Sequence, residues 1–445
     1  MIVFFFLIGF LLFFLNNNKW ENNVKLLLIF FPFFGLIANN LKPYSNLSSI
    51  FYDFVLIIPI YLAIITKKFN TEHPIILNTN LKFSLVFFIL VIIAQFLNPF
   101  NSIGLLSKLV GLKVWIFYFL MIAVGFHYIQ SKNDVIIICK NLSKLASIPC
   151  VIAILQFILS FRIGYSETMN LFYPPEIARA ATQNFQTFSI ASNIELRRIP
   201  STFTSAAQFS NFLLFSFIPV LTTLNYSKNK KDKFIYTSIF FLIIFSSIAS
   251  GVRGMYIYIP IFFVYYAVIK KRIDNLIFYG FVSSVVLFTL YSLKLANLEY
   301  LLLDIKRLLI LYGSNTLKGG FGYLLENFFG NGLGTATFQT YFITGESVQV
   351  GPELNESHFF KVITELGFIG LIAIVIFYIS IITTLFNCLN FEKNDTFKTF
   401  ISSFIAFYLV MLTINFKSMH IDLFPSNFLI FLFLGIILKL NKIEN

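Results

Sequence analysis

Runs of about twenty mostly apolar residues, set apart by short polar breaks, recur along almost the whole chain. An α-helix rises about 1.5 Å per residue and the hydrocarbon core of a bilayer is about 30 Å thick, so runs of this kind are candidates to cross a membrane. They fall at about 2–15, 24–38, 50–66, 81–97, 108–129, 140–160, 203–225, 234–250, 255–269, 276–296, 359–387, 399–416 and 422–438. The predicted fold is therefore an all-α polytopic membrane protein with about 12–14 transmembrane helices. Composition agrees, because only 12% of the 445 residues are charged, about half the share usual in a soluble domain. The first run lacks a basic start and a small-residue cleavage site, and is expected to remain in the mature chain.

The net charge of +13 would suggest nucleic acid in a soluble protein. In a membrane protein it points first to topogenic lysine and to anionic lipid head groups, so membrane lipids are expected partners and nucleic acid is not. Lys67 and Lys68, then Lys228, Lys230, Lys231 and Lys233, then Lys270, Lys271 and Arg272, then Lys393 and Lys398, and finally Lys439 and Lys442 all fall on one side if the spans alternate. That side is predicted to be cytoplasmic, since basic residues in short loops resist translocation. Two long connections, 161–202 and 297–357, then face the other way and divide the chain. The segments are N-terminal helices over 1–160, a first outer loop over 161–202, central helices over 203–296, a second outer loop over 297–357 and C-terminal helices over 358–445. Loops this long among short turns are usually functional or disordered, and "LENFFGNGLGTATFQTYF" is too apolar for disorder and is expected to pack as short helices over the mouth of the bundle.

Candidate chemistry gathers at the outer junctions. Arg197 and Arg198 precede a span in "ELRRIPSTF"; each guanidinium can grip a phosphate in a forked geometry, or simply lie against head groups or Glu195. Arg253 in "SGVRGMY" lies between two spans with almost no connection, flanked by Gly251 and Gly254. A charge so enclosed is costly unless it meets water, a partner or a polar ligand. Lys306 and Arg307 open the second loop, which carries Gly330, Gly332 and Gly334 in "FFGNGLGTATF". Without a preceding strand or a following GK[ST] this is not a nucleotide loop but a sharp turn back to the membrane. The loop closes with "GPELNESHFFKVITELGFIG", in which Glu353, Glu356 and His358 head a helix. They serve either as acidic cap and dipole partners or as a general base tuned by burial. Glu365 follows two turns on, and Gly367 with Gly370 gives a small face for close packing. His73, His127 and His420 have no paired spacing, and Cys139, Cys150 and Cys388 have neither CxxC spacing nor a neighbouring His. No HExxH, Walker, Ser-His-Asp order or DxD-like pair occurs, which argues against a hydrolase, a pump and a metal-dependent sugar transferase.

Four of these segments, in order, resemble the bacterial O-antigen polymerase and O-antigen ligase superfamily. "RIPSTF" at 198–203 is similar to its Arg-x-x-Gly/Ser-Thr-Phe segment, "SGVRG" at 250–254 to its Ser-Arg-Gly segment, and "GNGLGTATF" at 330–338 to its Gly-x-Gly-x-Gly segment. "ESHFFKVITELGFIG" at 356–370 is similar to the His-Asn-x-x-Leu…Glu-x-Gly-x-x-Gly signature that ends the large outer loop. The resemblance implies a GT-C-like, cofactor-free and metal-independent transferase in the bacterial inner membrane, with its active site facing the periplasm. Its substrate would be undecaprenyl-diphosphate-linked oligosaccharide, and a flippase and a chain-length regulator would be its partners. It implies that Arg198 and Arg253 hold the diphosphate and that a residue at the head of the last motif, Glu356 or His358, assists proton removal from the acceptor; Arg197 and Arg307 are further candidates for the diphosphate from the sequence itself. Aligned on Gly367 and Gly370, Glu356 occupies the position of the ligase His, and this departure favours polymerase over ligase. A flippase for the same lipid-linked sugar is the rival of another class; it would want charges within the spans and repeat symmetry, and no internal repeat is visible.

Overall fold

The computed structural model describes residues 20–40, 53–66, 77–99, 103–174, 188–191, 194–196, 198–252, 254–271, 322, 324–325, 328–337, 357–416, 418–423 and 425–443. The predicted runs at 2–15 and 276–296 lie outside them, as do Arg197, Arg253, Arg307 and Glu356. The other eleven runs all coincide with helix.

In chain order, α1 (Trp20–Phe30) passes through a short 3-10 turn into α2 (Phe34–Asn40), and α3 (Ile58–Thr66) follows the π-turn Asp53–Ile57. Next come α4 (Thr79–Phe96), α5 (Leu105–Ile116), α6 (Met121–Tyr128), α7 (Lys132–Arg162) and α8 (Tyr165–Phe172). A two-stranded antiparallel hairpin, β1 (Phe188–Ala191) and β2 (Ile194–Leu196), then leads to α9 (Ala206–Tyr226), α10 (Lys230–Ala249) and α11 (Met255–Lys270). The last three are α12 (His358–Phe391), α13 (Asp395–Ile414) and α14 (Ser426–Leu440). Among the described residues, eight helices are long and apolar enough to cross a membrane, and three shorter apolar helices accompany them. This is the architecture of a multi-pass helical membrane protein.

Helix ends follow local chemistry. Ser131 opens α7 with a capping box, its hydroxyl accepting from the Asp134 N–H while the Asp134 carboxylate accepts from the Ser131 N–H at 2.8 Å. Asn229 and Asn394 cap α10 and α13 with side-chain oxygens. Between helices, packing is decided by small residues. Gly125 of α6 faces the Leu432 carbonyl of α14, and Gly435 of α14 faces the Ile122 carbonyl of α6, so a Cβ at either would collide with backbone. Helices α9, α13 and α14 form the inmost layer, and nearly every residue of α14 is buried.

Contacts between loops sort the two ends of the bundle. At one end the Asn225 amide donates to Asp395 Oδ2 at 2.9 Å, Lys270 Nζ to Asp395 Oδ1 at 3.1 Å, and Lys132 pairs with Glu392 at 3.7 Å. These connections are the ones assigned to the lysine-rich face. At the other end the Tyr165 hydroxyl donates to the Arg198 carbonyl at 2.8 Å, Ile199 N–H to the Ser250 carbonyl at 2.9 Å, and Asn331 N–H to the Thr364 carbonyl at 2.6 Å.

One predicted span is built differently from the sequence reading. The run at 359–387 was expected as a single helix, but α12 is broken at Gly367, whose φ of 67° and ψ of −161° are non-helical. The arms 358–366 and 368–391 fold beside one another, which brings His358 within hydrogen-bonding distance of Tyr378. Tyr378 lies ten residues beyond Phe368 on the long arm, about 15 Å of helix, so the short arm descends into the bundle by that much. The break needs a glycine twice over. That φ/ψ combination is essentially closed to other residues, and a Cβ at Gly367 would lie 2.5 Å from the Phe328 carbonyl oxygen and 2.6 Å from Gly330 N.

Candidate functional site

On the buried short arm of α12, His358, Lys361 and Glu365 recur at the spacing i, i+3, i+7 and so share one face. All three are almost wholly buried. Buried ionisable groups need partners, and each has them. Lys361 Nζ donates to Asp422 Oδ2 at 2.8 Å and stands 4.5 Å from the centre of the Trp115 ring, a cation–π contact. His358 Nδ1 lies 3.1 Å from the same Asp422 oxygen, and its Nε2 lies 2.8 Å from the Tyr378 hydroxyl. The Glu365 carboxylate accepts from Trp115 Nε1 at 2.6 Å, the Thr337 hydroxyl at 2.7 Å and Ala336 N–H at 3.0 Å.

Asp422 belongs to the turn between α13 and α14. Burial alone would raise its carboxyl pKa, but Lys361 and His358 beside it outweigh burial and hold it well below the usual carboxylate range. An ionised Asp422 can only accept, so His358 donates to it from Nδ1, while Nε2 pairs with the Tyr378 hydroxyl. His358 is thus buried with both nitrogens engaged. Ser357 holds the N-cap position of α12, but its hydroxyl turns away to the Asn415 carbonyl at 3.4 Å.

Glu365 acts as a clamp on the glycine loop. Its three donors include two from residues 336–337, and Phe368 N–H donates to the Phe328 carbonyl at 2.9 Å. Gly330, Gly332 and Gly334 all have positive φ, so the chain turns sharply here, as the sequence predicts. Gly334 is wedged against the Ser107 carbonyl of α5 and approaches Gly111 equally closely. Gly370 gives the room in which the short arm's Leu366 packs back on the long arm. Replacing Glu365 with Ala leaves two buried donors and one partly buried donor unpaired, with an expected cost of about 3 kcal/mol. Limited proteolysis should then cut within 328–337 much faster than in the wild type.

The segment 198–203 is fixed in a comparable way. Ile199, Ser201, Thr202 and Phe203 are buried, while Arg198 is exposed at the start. Ser201 adopts a φ of 54°, and its hydroxyl donates to the Pro149 carbonyl at 2.6 Å while its carbonyl accepts from Gln156 and from Tyr173. A non-glycine residue held left-handed by several bonds is stored strain of the kind found at functional sites.

The four segments meet in pairs: 198–203 joins 250–254 through Ile199 N–H and the Ser250 carbonyl, and 328–337 joins 364–368 through the bonds above. The 415–425 turn links the pairs. His420 in that turn is bonded to Asn211 of α9, which follows the first segment, and its ring is 6.1 Å from that of Tyr258 in α11, which follows the second. Asn415 and Asp422 of the same turn bond the head of α12, His358 N–H donating to the Asn415 carbonyl at 3.1 Å.

Lys361, Trp115, Tyr378 and Asp422 are site residues that the sequence reading missed. Lys361 carries a usable signal, being one of two charges inside the predicted span 359–387, at helical spacing from His358 and Glu365. No protein-family model matches the chain, and no curated protein matches it.

Proposed function

We propose that the chain is a metal-independent glycosyltransferase that joins undecaprenyl-diphosphate-linked oligosaccharide repeats into a polysaccharide on the outer face of the bacterial inner membrane. The observation that supports the reading is the pairwise meeting of the four motif-bearing segments, distant in sequence, at the end opposite the lysine-rich loops, with the 415–425 turn bonded to α9 and to the head of α12 between the pairs.

In this reaction the acceptor hydroxyl oxygen bonds to the anomeric carbon as the bond from that carbon to the diphosphate oxygen breaks, with inversion. The departing lipid diphosphate needs charge stabilisation, the acceptor needs orientation, and its proton needs a base. Arg198 and Arg253 clamp the diphosphate, Arg197 and Arg307 are further candidates for the same charge, and the fixed backbone of 198–203 holds the first of them in place. The proton passes to Glu356. This choice over His358 rests on the engagement of both His358 nitrogens, which suits His358 to holding the loop-to-helix junction in register.

In cells lacking the native gene, Arg253→Ala and Arg198→Lys should each abolish long-chain polysaccharide on a gel at unchanged protein level. Full ladders from both would remove the arginine clamp. Glu356→Gln should match their loss; wild-type ladders from Glu356→Gln together with none from a folded His358→Ala would move the base to His358. Normal chain length with no surface attachment would point instead to a ligase.

A further inference from the structure

At the lysine-rich end, the last turn of α11, the end of α12 and the first two turns of α13 enclose a recess of about 330 Å³. Lys270, Lys271 and Lys398 line it together with Asp395, Asn390 and Ser402. Three lysines against one aspartate leave it cationic.

Two of the lysines occupy positions that local energetics disfavour. Lys271 terminates α11 at a left-handed φ of 53°, where glycine is the usual residue. Lys398 sits near the start of α13, where the helix dipole opposes a cation. Lys270 is fixed in place, its side chain only 6% exposed and its ammonium donating to Asp395 Oδ1 at 3.1 Å and to the Thr399 hydroxyl at 2.6 Å. Ser402, one turn beyond Lys398, is 1% exposed, and its hydroxyl has no hydrogen-bond partner among the described residues. Helical serines elsewhere in the bundle, such as Ser216 and Ser247, bond the carbonyl one turn back. A buried donor left over in a cationic recess is arranged for an anion that accepts hydrogen bonds.

We propose that this recess binds the phosphate of an anionic phospholipid head group from the leaflet at the lysine-rich end. Phosphate oxygens accept from the ammonium groups and from the Ser402 hydroxyl together. Ile269 and Leu389 share the same walls, and Phe391, two residues beyond Leu389, is 73% exposed, giving the glycerol and acyl carbons an apolar surface that a free phosphate would not use. The site is independent of the transferase reading.

The test is native mass spectrometry of the full chain released from nanodiscs of phosphatidylcholine with phosphatidylglycerol, counting retained phosphatidylglycerol. The wild type should retain it, and Lys271→Gln with Lys398→Gln should lower its affinity about thirtyfold. Ser402→Ala, which leaves the charge unchanged, should weaken retention severalfold. The control Lys230→Gln with Lys231→Gln removes the same charge from another loop of that end and should change little. Equal retention by wild type and recess variant, or equal loss in the control, would overturn the site. Displacement of the lipid by millimolar inorganic phosphate would overturn the lipid as its source.

Discussion

Asp422→Ala is expected to destabilise the folded chain by about 3–5 kcal/mol, because it leaves the Lys361 ammonium buried without its counter-charge. Lys361 is 1% exposed, its partner oxygen lies 2.8 Å away, and the same oxygen serves His358. The double variant Lys361→Met with Asp422→Leu should recover most of the loss, since an apolar pair of similar volume removes both charges from the interior. Unfolding of the purified protein in mixed micelles measures both. A double variant as unstable as Asp422→Ala alone would show that the pair is not the source of the effect. The acid dependence follows in sign. The Asp422 pKa is lowered on folding, so its contribution is complete above the ordinary carboxylate range and is lost as pH falls through its folded value. The stability difference between wild type and Asp422→Asn should therefore hold from neutral pH down through mildly acidic conditions and shrink only in strong acid.

Gly367→Ala is expected to cost about 3 kcal/mol or more, combining a forbidden backbone conformation with a collision against Phe328 and Gly330. Either the fold-back opens or the glycine loop is displaced. Opening the fold-back separates His358 from Tyr378, and displacing the loop separates Glu365 from Thr337, so the activity proposed above should fall together with stability in either case. Gly322→Ala, whose Cβ would meet open space, is the matched control and should change stability by less than about 0.5 kcal/mol. Equal behaviour of the two variants would contradict the fold-back.

The spans were legible because hydrophobic length is a strong and local signal. The sorting of loops into two ends was legible because lysine marks one of them. The fold-back of α12 was not. Residues 359–387 read as one apolar run, and what breaks it is the approach of Gly330 from a segment over thirty residues earlier, which no local pattern encodes. The spacing of Gly367 and Gly370 predicts a packing face; Gly370 serves as one, and Gly367 is a chain reversal. The turn at Gly330, Gly332 and Gly334 is legible in the sequence, but residues 328–337 form turns and not the short helices expected of this stretch, and their docking against Gly111 and Ser107 depends on tertiary contact alone. Among the site residues, His358 and Glu365 announced themselves by position. Asp422 and Trp115 did not, because an aspartate in a short turn and a tryptophan in a span are ordinary until Lys361 and Glu365 are set beside them.

The most direct measurement is reconstitution of the purified wild-type chain in proteoliposomes with synthetic undecaprenyl-diphosphate oligosaccharide, in the presence of a metal chelator, with products resolved by length. Products that lengthen in steps of one repeat while lipid diphosphate is released are the expected result, and Arg253→Ala should give none. A folded wild-type protein that releases no lipid diphosphate and builds no ladder would contradict the polymerase reading.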